Sequence, residues 1–498
     1  HHTETFTAMI LPKPAAKWVA ASSFAAAVSY ADRGTSAIAA SGILEELKWT
    51  ESELGGVQSA FFLGYGLTQV LGGLLAESSS SRGGNSRRIN GGNDAYRSVL
   101  PTSIFLTGVA TMCFPTAASL GGPMLASVDR FALGVCEGLL LPSAMSGLSS
   151  LVPSDRRGTA SSILIASCYL GSALAYLSAY IIFSLPPEDP ISHWSSVFYV
   201  NGLLAFVSLF LFRDEFDMPR LLQPESFLEN SGTSLQTPTD DNIVGESRLQ
   251  TILSDARDVT MATLSSPSGR AILAAQFGQG ALLYSLASWG PLYLERIEGA
   301  AAASSVATVA STVAAAPGAK VAAAAAAASL ALIPAQLTQA IVGVGVGSTS
   351  DALTKRIGTA TTRRILQATS GVVPGLILWY LSSPSASSGV DQLVQPAFLF
   401  GVAQTVSALS LGAVSVSHLE VAPRNAGTVY ALGNVAAAIS GAGTVNICGM
   451  LLESGGGSDF SVVWRLVATI SIIGSITYAL TIKAEPEIFI KSDKECQV

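Results

Sequence analysis

LASVDRFALGVCEGLLLPSAMSGL, residues 125–148, decides the fold because it sets charged side chains inside a long apolar run. With its neighbours it forms an apolar window from about residue 122 to 150, and a bilayer crossing takes roughly 20 such residues. A charged group at mid-membrane costs roughly 2.5–3.5 kcal/mol, so Arg130 and Glu137 indicate a functional position within the membrane. Because they lie two helical turns apart, both side chains are expected to face one cavity.

The rest of the chain is equally apolar. Of its 498 residues, 49% are hydrophobic and only 12% are charged, about half the charged share of ~25% that soluble domains carry. We therefore predict an all-α integral membrane protein. Twelve windows are long and apolar enough to cross the bilayer, and we number them spans 1 to 12: residues 18–40, 54–76, 98–118, 122–150, 159–185, 195–212, 270–294, 321–346, 363–382, 394–418, 426–452 and 461–482.

The basic residues predict an orientation. Most of the 27 Lys and Arg residues fall in alternate loops, starting from the N-terminus, and loops rich in these residues stay on the cytosolic side. An even number of spans then places both termini on the cytosolic (or stromal) side. The predicted divisions are an N-terminal tail at 1–17, a six-helix half at 18–212, a polar linker at 213–269, a second six-helix half at 270–482 and a C-terminal tail at 483–498.

An internal repeat predicts that the two halves are pseudo-symmetric. Spans 2 and 8 both close with a Gly-x-x-x-acidic corner, which we expect to let neighbouring helices approach and slide. The offset between the halves is larger from span 8 onward than between spans 1 and 7. The Ala-rich run 300–329 is therefore predicted to be an insertion. The corner residues are Gly73, Glu77, Gly347, Asp351 and Arg356.

Few ionisable side chains lie inside the spans, and each is a candidate site residue. Span 1 carries Asp32 and Arg33, and span 4 carries Arg130 and Glu137. A purely structural role is open for each, because Arg130 and Glu137 can form an ion pair and Asp32 can simply neutralise Arg33.

Two further spans contribute polar candidates. Gln279 and Tyr284 of span 7 can bind a substrate or only a neighbouring helix. His418 closes span 10, where a lone histidine is more often structural, and it is kept as a candidate for coupling. Enzyme chemistry, a metal and a cofactor are not predicted, because the four histidines and five widely spaced cysteines fit no ligand pattern. No basic stripe indicates nucleic acid.

An ordered set of motifs covers nearly all spans: YADR at 30–33, FFLGY at 61–65, RFALGVCEG at 130–138, VPSDRRGTA at 152–160, SWGPLY at 288–293, DALTKRIGTATTRRILQ at 351–367 and HLEVAPRNAG at 418–427. Together they resemble the anion:cation symporter family of the major facilitator superfamily, which includes sialin, the vesicular glutamate transporters and the plastid phosphate transporters of plants and algae. The region around 363–367 is most similar to the plastid phosphate branch.

The resemblance implies twelve helices and transport of a small anion across a membrane. By analogy, Arg33 and Arg130 would face the anion, and Glu137 would be the coupling or gating carboxylate. We expect alternating access with H⁺ or Na⁺ coupling, phosphate as the first substrate and an organic anion such as glutamate or ascorbate as the second. A monomer in an organelle membrane such as the plastid envelope is expected, and a non-transporting sensor or scaffold is the remaining alternative.

Overall fold

The computed structural model of the protein describes residues 13–80, 95–152, 157–186, 189–212, 254, 256–306, 317–383, 394–423 and 425–487. Over these residues the secondary structure is helical, with no strand. The first twelve residues of the N-terminal tail, most of the predicted linker (213–253) and the last eleven residues (488–498) lie outside the described residues.

Six spans form the N-terminal half. Spans 3 and 4 lie in one helical run that bends at Gly122, where φ is 60° and ψ is −156°. The positive φ is a conformation that glycine adopts without strain, so this residue turns the chain back into the bundle. The helices are Lys13–Ile38 and Ala40–Leu47 for span 1, Glu51–Ser80 for span 2, Ala95–Gly138 and Leu140–Leu151 for spans 3 and 4, Arg157–Phe183 for span 5, and Trp194–Leu209 with the turn Phe210–Phe212 for span 6.

Six further spans form the C-terminal half. Span 10 is broken, since a 3₁₀ turn separates its two α-helical parts. The helices are Pro267–Val306 for span 7, Pro317–Ile357 for span 8, Thr359–Leu381 for span 9, Val394–Ser407, Ala408–Gly412 and Val414–Val421 for span 10, Ala426–Ser454 for span 11, and Ser461–Thr481 for span 12.

The prediction of twelve spans is confirmed. Among the described residues, seven helical stretches are long and apolar enough to cross a membrane, and one of them, Val99–Met145, contains two crossings because of the bend at Gly122. Spans 1, 2, 7 and 9 are long enough but more polar. These four helices carry several of the buried polar side chains, which explains their lower hydropathy.

The two halves meet along two pairs of helices, span 2 with span 11 and span 5 with span 8. In the first pair, Gly55 faces Gly449 closely, and a Cβ atom on Gly55 would lie 3.2 Å from the Cα of Gly449. We call the end of the bundle that holds the connection between spans 1 and 2 the loop-1 end. The opposite end, which holds the residues flanking the predicted linker, is the linker end.

The inserted segment is shorter than the predicted range 300–329. Ala325, Ala326 and Ala328 are buried in the main hydrophobic core, so this part of the run belongs to span 8. The sequence misled here because alanine is equally suited to a free helix and to a close helix contact.

Deletion of residues 301–316 should leave folding and uptake near wild type. The new junction, Glu298-Gly299-Ala300-Pro317-Gly318, has the Gly and Pro residues that favour a tight turn. Deletion of residues 321–329 should instead abolish folding, because it removes buried alanines. Thermal unfolding of the purified protein and anion uptake in proteoliposomes are measured for both deletions. Loss of uptake in a well-folded 301–316 deletion would show that this segment belongs to the transport machinery.

Candidate functional site

Arg33 and Glu137 form an ion pair between spans 1 and 4. Arg33 Nε donates to Glu137 Oε2 at 2.7 Å, and the Glu137 side chain is fully buried while that of Arg33 is 15% exposed. The expected alternative pair, Arg130 with Glu137, does not form. The reason is geometric, because residues seven apart on a straight helix are separated by two turns, whereas span 1 brings Arg33 alongside.

Aromatic rings surround the Arg33 guanidinium. Its Cζ lies 4.3 Å from the ring centre of Tyr30, 4.6 Å from that of Tyr65 and 5.4 Å from that of Phe61. Cation–π contacts of this kind hold a guanidinium in place without using its hydrogen atoms. No described residue accepts a hydrogen bond from either Nη atom. Arg33 therefore keeps two donors for an anion.

The C-terminal half reaches this cluster through Tyr284. Its ring packs on Phe62 of span 2 with the ring centres 4.3 Å apart, and Arg33 and Tyr65 are among its electrostatic neighbours. The structure thus brings two predicted binding residues, Arg33 and Tyr284, together at the interface between the halves.

Arg130 and Asp32 lie inside the N-terminal half instead. Arg130 is buried with its Cζ 4.4 Å from the ring centre of Phe114 and 5.3 Å from that of Phe198, on spans 3 and 6. Among the described residues, Arg130 Nε and Nη2 and both carboxylate oxygens of Asp32 have no hydrogen-bond partner. The structure does not bring Arg130 into the aromatic cluster around Arg33.

Gln279 and His418 make their contacts within the C-terminal half. Gln279 Nε2 donates to the carbonyl oxygen of Ser407 at 3.1 Å, where span 10 breaks. His418 packs on Tyr430 with the ring centres 4.9 Å apart, at the linker end of span 10. Gln279 therefore satisfies a carbonyl that the broken helix leaves free.

Within the described part of the structure, the corner residues of span 8 make no close helix contact. A Cβ atom on Gly347 would meet nothing within 4 Å, and Asp351 and Arg356 are exposed. No described neighbour therefore requires a glycine at this position, and the role of the corner motif stays a prediction. The surroundings of Gly73 and the side chain of Glu77 lie outside the described part of the structure.

Near that corner, the structure shows a charged contact that was not predicted from the sequence. Arg363, at the start of span 9, binds Glu420 at the end of span 10 with Nη2 to Oε1 at 2.6 Å and Nε to Oε1 at 3.0 Å. Its Nη1 donates to Ser350 Oγ and, at 2.8 Å, to the carbonyl of Gly412. The only sequence signal for this contact was the basic pair at 363–364, and such pairs are common in ordinary loops at the membrane surface.

The loop-1 end carries polar contacts between the halves. Arg296 Nη2 of span 7 lies 2.8 Å from Glu51 Oε1 of span 2, and Ser41 Oγ donates to Glu295 Oε1 at 2.6 Å. Gly457, with φ of 81°, places its backbone against the Glu51 carboxylate. These contacts close this end across the two halves.

The chain beyond span 12 is fastened at the linker end. Burial acts to raise the pKa of Glu487, but hydrogen bonds from Lys483, Ser266 and Ser268 outweigh it and lower the pKa to about 2. Arg364 adds a hydrogen bond to the carbonyl of Ile482 at 2.7 Å. Residues 482–487 therefore brace spans 7, 9 and 12 together.

Known proteins share both the sequence pattern and the fold. The chain is 24% identical over 457 residues to "Ascorbate transporter, chloroplastic" of Arabidopsis thaliana, covering 90% of this chain and 71% of the relative. It is 25% identical over 452 residues to "Sodium-dependent phosphate transport protein 1, chloroplastic" of the same plant, covering 90% and 75%.

Solved structures with the same fold have much lower identity. The D-xylose-proton symporter superposes with a TM-score of 0.59 at 14% identity, covering 94% of this chain and 99% of that one. The nucleoside transporter NupG gives a TM-score of 0.60 at 13% identity, covering 94% and 99%. These likenesses establish the arrangement of the helices. Residues 22–445 match the sequence model of the Major Facilitator Superfamily, and the chain belongs to this family of membrane transporters.

Proposed function

We propose that the protein is a secondary active transporter of a small anion and that Arg33 is the residue that holds the anion. The observation that carries this proposal is the Arg33 guanidinium, which is held by aromatic faces and keeps its Nη donors free at the interface between the halves. Two parallel N–H donors match the oxygen pair of a phosphate or a carboxylate.

Inorganic phosphate is the first substrate that we propose, and an organic anion is the second. The names of the relatives support both, since one is a sodium-dependent phosphate transport protein and one is an ascorbate transporter. Tyr284 would contact the same substrate from the opposite half, because its ring already reaches the Arg33 cluster.

Alternating access follows from the arrangement of the halves. The contacts of Arg296 with Glu51 and of Ser41 with Glu295 close the loop-1 end. Rocking the halves about the span 2–span 11 and span 5–span 8 contacts would break these bonds and open that end. The bonds would then favour the state in which the substrate is reached from the linker end.

Glu137 is proposed as the proton-sensitive group. An anion that binds Arg33 competes with Glu137 for the guanidinium, so anion binding and protonation of Glu137 should favour each other. We further propose that the linker end faces the cytosol or stroma, that the protein works as a monomer, and that an organelle membrane such as the plastid envelope holds it. The distribution of Lys and Arg supports the orientation, and the chloroplast relatives support the organelle membrane.

Arg33→Ala should reduce saturable uptake of labelled phosphate by about 100-fold, because each charge-assisted hydrogen bond contributes about 1.5–3 kcal/mol. Arg33→Lys should retain partial uptake, since lysine keeps the charge but loses the planar pair of donors. Arg465→Ala is the matched control, because Arg465 bonds Ser382 at the loop-1 end. Uptake in proteoliposomes, with glutamate and ascorbate as competitors, provides the measurement. Unchanged uptake by Arg33→Ala would remove Arg33 from the site.

Glu137→Gln should retain anion exchange but lose the acceleration of uptake by an imposed proton gradient. The amide mimics the protonated carboxyl and releases Arg33. Exchange and gradient-driven uptake are measured on the same proteoliposomes, with the parent protein as the reference. If the variant keeps the full pH dependence, coupling resides elsewhere, with Asp32 and His418 as the next candidates.

Reversing the charges at Glu51 and Arg296 should test the closed loop-1 end. Glu51→Arg or Arg296→Glu alone places like charges together, which should increase deuterium exchange in the helix Ala40–Leu47 and slow uptake. The double swap restores opposite charges and should recover both, with a coupling energy of about 1–3 kcal/mol. If the double variant is as impaired as the sum of the single variants, the pair does not hold this end closed.

A further inference from the structure

A group of buried oxygen atoms in the N-terminal half lies outside the Arg33–Glu137 pair described above. Asp32, Thr107, Thr111 and Asn201 are each at most 1% exposed. Both Asp32 carboxylate oxygens, both threonine hydroxyls and Asn201 Oδ1 have no hydrogen-bond partner among the described residues. Each unsatisfied buried polar group costs about 1–3 kcal/mol, and a charged group costs more.

These oxygens converge from three helices. The Thr111 hydroxyl of span 3 faces Asp32 of span 1 without completing a hydrogen bond. Asn201 Nδ2 of span 6 donates to Thr35 Oγ1 at 3.2 Å, and Thr35 lies one turn from Asp32 on the same helix face.

The register of spans 3 and 6 places Asn201 level with Thr111. The neighbouring residue, Gly202, packs directly against Met112 and the carbonyl of Gly108 on span 3. Thr107 lies one turn before Thr111 on the same face of span 3. The carboxylate, the two hydroxyls and the amide oxygen therefore line one enclosed site within the half.

Inside the membrane spans of this half, acidic side chains outnumber basic ones by one, which leaves room for one monovalent cation. Asp32, Asp129 and Glu137 supply three negative charges, and Arg33 and Arg130 supply two positive charges. Arg33 is bound to Glu137, and Arg130 forms no ion pair with Asp32 among the described residues. No described side chain bonds the Asp32 carboxylate, so this carboxylate stays ionised inside the half only when a cation binds beside it.

We propose that Asp32, Thr111 and Asn201, with Thr107 beside them, form a binding site for Na⁺. A protonated carboxyl has one O–H donor, so it would satisfy at most one of the three neutral oxygens. A hard cation takes carboxylate, hydroxyl and amide oxygens together. The role of this ion as the coupling ion rests on the proposed transport function, whereas its binding does not.

The position of this site also explains how a bound ion would influence the anion site. Asp32 and Arg33 are adjacent on span 1, so an ion that ties span 1 to spans 3 and 6 fixes the backbone that carries Arg33. The occupied site favours the orientation in which Arg33 meets the anion. Arg130 acts in the opposite direction, because it competes with the ion for Asp32.

Thermal unfolding of the purified full chain tests binding without transport. At constant chloride and pH and without substrate, NaCl should raise the unfolding temperature in a saturable manner, while KCl and choline chloride should not. Asp32→Asn should abolish the Na⁺ shift, and Thr111→Val should weaken the apparent affinity about tenfold, equivalent to about 1.4 kcal/mol. Thr111→Ser should retain the apparent affinity for Na⁺, because serine keeps the hydroxyl. Arg130→Gln should tighten binding.

Thr362→Val is the matched control, because the buried Thr362 hydroxyl bonds the Gly358 carbonyl in the other half. Absence of a Na⁺ shift in the parent, a shift preserved in Asp32→Asn, or stabilisation by lowered pH alone would each overturn the site. If Asp32→Asn does not fold, the Thr111→Val and Thr111→Ser pair decides. Na⁺ binding without anion uptake would leave this site standing and would refute the transport proposal.

Discussion

The buried pair of Arg33 and Glu137 is the interaction on which the rest of the membrane interior depends. Each ion alone would be strongly destabilising inside the bundle, whereas a hydrogen bond of 2.7 Å lets both stay charged. The pair joins span 1 to span 4 and leaves the guanidinium edge directed at the other half. Tyr30 and Tyr65 then hold its faces, so its position is fixed before an anion arrives.

The two halves share an architecture but divide the chemistry. The N-terminal half buries carboxylates and guanidiniums, while the described core of the C-terminal half is rich in amides, such as the Gln336–Gln404 and Gln279–Ser407 bonds. Gln279 satisfies the Ser407 carbonyl at the break of span 10 without adding charge, while Arg363 satisfies the Gly412 carbonyl at the other end of the break. The resulting asymmetry places the groups that respond to ions in one half, while the other half supplies Tyr284 and a neutral wall.

Movement of the halves is favoured by how they touch. Spans 2 and 11 pack through glycines and alanines, including Gly66 against Ala438, so few interlocked side chains oppose a change in angle. The polar contacts between the halves at the loop-1 end are strong but local. A substrate therefore has to offset a few bonds rather than an entire packed interface.

The sequence by itself determined the class, the twelve spans and the candidate charges, because crossing a bilayer constrains composition along every span. It also singled out Asp32, Arg33, Arg130 and Glu137, since a charge in an apolar run is visible without any neighbour. The sequence could not determine which side chains contact each other. Tertiary structure alone decided that Arg33 rather than Arg130 binds Glu137, that Arg363 binds Glu420, and that Ala325, Ala326 and Ala328 belong to the core, because such contacts depend on the rotation of each helix against helices distant in the chain.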